Sequence, residues 1–377
     1  MAAEETSKLC ELGEAYPMKG GDGPKNYANN STYQRGAVDV VKHVINMAIE
    51  EKLDIDNLML SNSNTTFRIA DLGCSVGPNT FSSIDTIIEA VQSKYQTQGP
   101  RPSSSQIPGF QVFFNDHTSN DFNVLFKSLP DQNRRRYYAA GVPGSFYGRI
   151  FPRASIHFVH SSYALQWLSR VPKEVVDKDS PAWNKGRIHY LNSTEEVARA
   201  YRAQHAEDME CFLDARAQEV VCGGLMVLII PGHQLQGSPN DSHSFLNVTY
   251  RLLGSSLMDM AKKGVVSEEK VDSFNIPIYH MSPQELEAAV EQNGSFSIEG
   301  MEHLPQVPKL DTVAQNAQLI ASHSRAVTEE LFKQQFGDEL ILDELFDLYR
   351  KKLEAQPSIF EFMGTTTFLA VLKRKAN

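Results

Sequence analysis

Asp71, Gly73, Gly77 and Asn79 are the residues of this chain whose types and spacing most directly suit chemistry. They lie in the run Ile69-Ala-Asp-Leu-Gly-Cys-Ser-Val-Gly-Pro-Asn-Thr80. An apolar strand that stops on an acid and then enters a glycine-rich turn can wrap a ligand, because a residue without a Cβ lets the backbone bend and approach closely. Pro78 suits the first position of a helix, and Phe81, Ile84, Ile87 and Ile88 give that helix an apolar face. Strand, turn and helix in this order bring backbone N–H groups to the carboxyl edge of a sheet, where doubly wound α/β proteins bind nucleotide-like ligands. The spacing lacks the lysine of a P-loop and differs from the dinucleotide pattern G-x-G-x-x-G. Read alone, the same run also describes a tight connection within a sheet.

The elements that must hold this turn follow from the apolar runs. Strands are expected at Phe67–Leu72, Phe110–Phe114, Ile156–His160, Leu225–Ile230 and Phe368–Leu372, and helices at Asn79–Tyr95, at Asp121–Leu129 with Asn120 as N-cap, and at Ser193–Val221. This βαβ rhythm predicts a parallel sheet covered on both faces. Two regions break it: a leader running to the helix Tyr33–Leu53, and a mostly helical span from Gly237 to Gln356 in which Ser282-Pro-Gln-Glu285 starts a helix. The expected division is a leader and lid at 1–55, an α/β core at 56–236, a helical cap at 237–356 and a returning strand at 357–377. Gln96–Gln106 and His233–Ser242 read as loops.

Composition excludes several classes. With 377 residues and 41% hydrophobic content the chain can bury a large core, and its net charge of −10 disfavours nucleic acid, which would require a basic stripe. Arg134-Arg-Arg136 reads as a solvated loop. With no apolar run of membrane-spanning length and a polar start, a cytoplasmic protein with no membrane partner is expected. Cys10, Cys74, Cys211 and Cys222 have no C-x-x-C spacing, which argues against zinc and against a disulfide framework.

Further segments converge on one family. Met18-Lys-Gly-Gly21, Tyr27, Asn30-Ser-Thr-Tyr-Gln34, Phe113-Phe-Asn-Asp116, Asn120-Asp-Phe-Asn123, Gly141-Val-Pro-Gly-Ser-Phe-Tyr-Gly148 and His160-Ser-Ser-Tyr-Ala-Leu-Gln-Trp-Leu-Ser169 accompany the glycine turn. Together they resemble the plant SABATH methyltransferases from Met18 to Lys375. Members of that family methylate small carboxylic acids and, in one branch, the nitrogens of xanthines. The resemblance implies an α/β fold with a Rossmann-like class I methyltransferase sheet, helices on both faces and a mostly helical cap. It also implies S-adenosylmethionine as cofactor and a homodimer.

Carried over by position, the cofactor site would use Tyr27, Ser31, Asp71, Cys74, Asn79, Asp116, Ser145 and Phe146, with His117 beside the adenine. Asp116 would accept the ribose hydroxyls, Phe146 would lie on adenine, and Asp71 with Asn79 would hold the amino-acid end. Without the resemblance, Asp116 and Asp121 read equally well as strand-end and helix-cap acids. On the acceptor side, Gln34 and Trp167 would hold the carboxylate and aim one oxygen at the methyl group, with Lys19, Tyr163, Gln166, Thr249 and Tyr250 around the acceptor's body. Pro231, Leu246, Ser324 and Thr365 would vary with the substrate. The family's cation site would map to Asn184, Asp272, Phe274 and Asn275, a set of oxygen donors suited to Mg²⁺ or equally to a loop-to-loop hydrogen-bond network.

A carboxylic acid is already ionised at neutral pH, so displacement at the methyl group needs position and no general base. On that ground His157, His160, His280 and His323 read as packing or surface residues. The expected activity is methyl esterification of a terpenoid-derived or hormone-like acid. The alternatives are N-methylation of a xanthine and an inactive relative that only binds its ligand.

Overall fold

A computed structural model describes residues 38–55, 58, 66–98, 109–131, 135–232, 244–305, 309–337, 339–362 and 366–376. Seven strands form one sheet: β1 (Thr66–Leu72), β2 (Gly109–Asp116), β3 (Tyr138–Pro143), β4 (Ile156–Ser162), β5 (Val220–Gly232), β6 (Phe296–His303) and β7 (Thr366–Arg374), in spatial order β3-β2-β1-β4-β5-β7-β6. The first five are parallel, and β7 runs antiparallel to both of its neighbours, β5 and β6. The order reverses between β1 and β4, which pair from Ile69 with Phe158 to Leu72 with Ser161. A reversal of this kind opens a crevice at the carboxyl ends of the two strands, because their onward connections leave in opposite directions.

Alternation along the strands builds two cores. Ile69, Val112 and Val227 face helices α1 (Val38–Lys52) and α2 (Pro78–Gln98), meeting Ile45, Ile49, Ile84 and Ile88. Ala70, Met226 and Leu228 face the other way, toward Tyr201, Phe212 and Leu213 of the helix α4 (Glu195–Glu219). The short helix α3 (Phe122–Lys127) lies between β2 and β3. A third core is the cap, in which α5 (Phe245–Lys262), α8 (Val313–Phe336) and α9 (Glu339–Glu354) pack together with Val271 of α6 (Glu268–Asp272).

Several boundaries differ from expectation. The cap interval 237–356 contains α7 (Pro283–Asn293) and β6, and β6 joins the main sheet through β7. Neither β3 nor β6 was expected. Both are edge strands with half-exposed side chains, so neither carries the continuous apolar run of a strand buried on both faces. Helix α3 is capped by Asp121, whose carboxylate accepts from Val124 N at 3.0 Å, and not by Asn120. Asn120 instead donates to the Ser75 carbonyl at 3.2 Å, tying this loop to the glycine turn. Ser282 and Glu285 form the expected capping box of α7. Among the described residues Cys74 and Cys222 are free thiols, whereas Cys211 is disulfide-bonded, against the expectation from spacing. No helix among the described residues is long and apolar enough to cross a membrane.

Candidate active site

The turn after β1 is shaped by close approach. Gly73 has φ +80°, and a Cβ placed there would lie 2.4 Å from the Ala164 side chain, so only glycine fits. Gly73 N and Cys74 N both donate to the Asn115 carbonyl, at 2.9 and 3.0 Å. Ser75 N donates to Asp116 Oδ2 at 2.8 Å. Asn115 in turn donates through Nδ2 to the carbonyls of Val142 and Gly144, at 2.7 and 2.9 Å. The loops after β1, β2 and β3 are thereby stitched side by side along the sheet edge.

Asp71 is buried at the end of β1, where it accepts hydrogen bonds from Thr80 Oγ1 and, at 2.7 Å, from His160 Nδ1. Asp116 accepts a second backbone N–H from His117 through Oδ1 at 2.8 Å. Burial pushes the Asp116 carboxyl up, against the pull of these two N–H groups, and pushes the neighbouring His117 imidazole down. Asp71, Gly73, Cys74, Asn79, His160 and Tyr163 line a cleft beneath the turn. His160 Nε2 is buried without a hydrogen-bond partner. An acid and an unpartnered imidazole nitrogen in a glycine-lined cleft, with Asp116 bonded to the same turn through Ser75 N, fit a ligand that brings an ammonium and hydroxyl groups.

Phe146 is held by a device that sequence reading missed. It packs against Tyr147 and Phe212, with ring centroids 4.9 and 6.1 Å away. The fully buried Arg216, from the last turn of α4, donates to the carbonyls of Phe146 and Gly148 at 2.9 Å each. Its ion-pair partner Glu219, 2.7 Å away, accepts from Ile150 N and Phe151 N at 2.6 and 2.8 Å. Burial pushes the Glu219 carboxyl up and the Arg216 guanidinium down, and their mutual attraction opposes both shifts. The pair therefore anchors the loop that carries Ser145 and Phe146.

A second cavity, of about 150 Å³, lies between the sheet edge and the cap. Tyr163, Gln166, Trp167 and Pro231 form its sheet side. Leu246, Thr249 and Tyr250 come from α5, and Ser324 comes from α8. Tyr163 lines both this cavity and the cleft beneath the turn, and its backbone takes the strained φ of 53° while its N–H donates to the Ile229 carbonyl at 2.9 Å. The next residues are pinned to the segment before α7: Tyr279 N donates to the Gln166 carbonyl and Leu168 N donates to the Pro277 carbonyl, both at 2.8 Å. The Tyr147 hydroxyl donates to the Trp167 carbonyl at 2.5 Å.

Of His157, His160, His280 and His323, three border a cavity. His280 and His323 stand in the wall of the second cavity, and the buried His160 stands in the cleft, so these three border open space as well as packing. His157 does pack, stacked on Phe67 with its Nδ1 accepting from Arg68 N at 3.0 Å, and burial lowers its pKa to about 4. Ile320, His323, Ser324, Val327 and Thr328 line the cavity together. Their i, i+3, i+4, i+7, i+8 spacing marks one helix face and is the signal that could have found His323.

Lys19, Tyr27, Ser31, Gln34 and Thr365 lie outside the described residues. The residues expected to hold a cation make a hydrogen-bond network instead. Asn184 Nδ2 donates to Asn275 Oδ1 at 2.6 Å, Asn184 Oδ1 accepts from the Ser193 hydroxyl at 2.6 Å, and Asp272 Oδ1 accepts from Gly186 N at 2.8 Å. Phe274 packs against Phe332 and Phe336. Asn184 Oδ1, Asn275 Oδ1 and Asp272 Oδ1 each already accept from an N–H or O–H donor, and among the described residues no three His, Cys, Asp or Glu side chains converge, so the structure gives a Mg²⁺ site no support.

Residues 13–375 match the family described as SAM dependent carboxyl methyltransferase. Loganic acid O-methyltransferase of Catharanthus roseus is 48% identical over 366 residues, covering 97% of this chain and 95% of the relative. Farnesoic acid carboxyl-O-methyltransferase of Arabidopsis thaliana is 43% identical, over 78% of this chain and 80% of the relative. Paraxanthine methyltransferase 2 of the same plant is 37% identical, over 95% and 98%. A solved structure of loganic acid methyltransferase with SAH superposes with a TM-score of 0.88 at 47% identity, covering 96% of this chain and 99% of that one.

Proposed function

Because the chain belongs to the S-adenosylmethionine-dependent carboxyl methyltransferase family, we propose that it forms the methyl ester of a terpenoid-type carboxylic acid. The relatives named for loganic and farnesoic acids support that substrate class, with higher identities than the paraxanthine relative. The observation that carries the reading is the position of Tyr163, shared by the walls of the glycine-turn cleft and of the apolar cavity. Two ligands seated on either side of it would meet there.

When bound, S-adenosylmethionine supplies an activated methyl group. Asp116 is the proposed acceptor for ribose hydroxyls, Phe146 the adenine platform, and Asp71, Asn79 and His160 the partners of the amino-acid end, with Cys74, His117 and Ser145 completing the wall. Trp167, together with Gln34, would donate to the acceptor carboxylate. Neutral donors hold an anion without the tight ion pair that would quench its nucleophilicity. Since the acid arrives ionised, these residues orient it and exclude water, and no side chain takes a proton. Alignment of this kind is worth up to about 7–11 kcal/mol of the barrier.

Methyl transfer from labelled S-adenosylmethionine to a panel of terpenoid acids, aromatic acids and xanthines tests the proposal. Label in an alkali-labile ester is expected. Label confined to alkali-stable N-methyl products would overturn it.

A further inference from the structure

We infer that the acceptor carries a hydroxyl group that donates a hydrogen bond to Gln166 Oε1, so that hydroxylated acids are selected over their plain analogues; this rests on the ester-forming reading above. Gln166 is 8% exposed and stands in the wall of the acceptor-side cavity, between Tyr163 and Trp167. The two ends of its carboxamide are unequal. Nε2 donates to the Tyr163 carbonyl at 2.7 Å, whereas Oε1 is buried with no hydrogen-bond partner. Exchanging the two ends would set Oε1 against that carbonyl oxygen, acceptor against acceptor, so the orientation follows from Tyr163. Tyr163 is itself held by its strained φ of 53° and its bond to Ile229, and the Gln166 carbonyl is held by Tyr279 N. The side chain cannot turn to satisfy Oε1 without abandoning Nε2.

A buried acceptor without a donor is costly, and folded proteins seldom keep one unless a ligand or water fills it. The polarity then limits what the ligand can be. A carboxylate has no proton to give at neutral pH, so the reacting group itself cannot satisfy Oε1, and the donor that replaces water there has to be a separate group on the acceptor. Elsewhere in the wall the Tyr250 hydroxyl meets His280 Nε2 at 3.3 Å, and His280 Nδ1 donates to the Pro231 carbonyl at 3.3 Å. Phe245, Leu253, Ile276 and Ile278 in the same wall are apolar. An apolar body bearing hydroxyl donors matches this lining, whereas a hydrocarbon acid would leave Oε1 unsatisfied.

The test compares kcat/KM for geranic acid and its singly hydroxylated derivatives, using wild type and Gln166→Met, a change that keeps the bulk and removes the acceptor. Wild type should favour at least one hydroxylated acid on the order of 10- to 100-fold, and Gln166→Met should shrink that ratio to within about 3-fold. The wild-type ratio stands as evidence even if the variant fails to fold. Equal use of plain and hydroxylated acids by wild type, or a preference that survives in Gln166→Met, overturns the inference and leaves ester formation intact. No ester from any of these acids, with label from S-adenosylmethionine appearing only in N-methylated xanthines, overturns the ester-forming reading and the inference with it.

Discussion

Trp167 has its carbonyl fixed by the Tyr147 hydroxyl and its main chain bridged to Ile278, while its side chain belongs to the cap core. An indole held in this way can place a carboxylate but has no reach to the glycine-turn cleft, whose walls it does not join. Trp167→Phe, which keeps an aromatic ring and loses the N–H, should therefore lower kcat by about 10²–10³, the usual effect of removing one oriented donor. Calorimetric titration with S-adenosylhomocysteine should show a Kd within about 3-fold of wild type. Asp116 predicts the complementary behaviour. Burial raises its carboxyl above the ordinary range, so the ionised form, the one proposed to accept ribose hydroxyls, is lost as pH falls through that raised value. Cofactor affinity should weaken on acidification from pH 7.5 toward 5. In Asp116→Asn the affinity should be weaker at the start and nearly flat over that interval; an equally steep profile in the variant would assign the proton to another group.

At the scale of elements, the chain was most legible where one element decides its own fate. The turn after β1, the central strands and the helix α4 could be read because their apolar runs are buried on both faces or repeat with helical period. What escaped was relational. The edge strands β3 and β6 exist because a neighbour pairs with them, and Asn120 leaves the cap of α3 to Asp121 because Ser75 competes for its amide. The Arg216–Glu219 pair was invisible for the same reason, since two charges on a long polar helix look like its solvated face until their partners on residues 146–151 are seen. Removing one member strands the other. Glu219→Gln should cost about 3–5 kcal/mol in urea unfolding and should weaken cofactor binding through the loosened Phe146 loop. The double change Arg216→Met with Glu219→Leu should recover much of the stability and little of the affinity, because the bonds to the Phe146 and Gly148 carbonyls stay lost. Recovery of both would mean the pair serves the fold alone.

For the whole molecule, the sheet supplies one wall of the acceptor cavity and the cap supplies the other, so the site exists only while both are folded and docked. The cores are joined at that place. Leu246 and Tyr250 pack against both the sheet core and the cap core, and the segment Leu165–Leu168 divides its side chains, with Leu165 and Leu168 in the former and Trp167 in the latter. Strand β6 reinforces the junction, because the chain leaves the cap after α6, adds an edge strand to the sheet and returns to the cap at α8. A cap whose chain passes through the sheet in this way is tethered to it at both ends of β6, which couples the unfolding of the two. Scanning calorimetry should accordingly give one transition, with calorimetric and van't Hoff enthalpies in agreement. S-adenosylhomocysteine at 100 times its Kd should shift that whole transition upward, by about 2.7 kcal/mol of added stability, although the cofactor residues named lie on the sheet side. Two transitions, with only the later one moved by ligand, would show that the cap is a separate cooperative unit and that the acceptor cavity forms by docking.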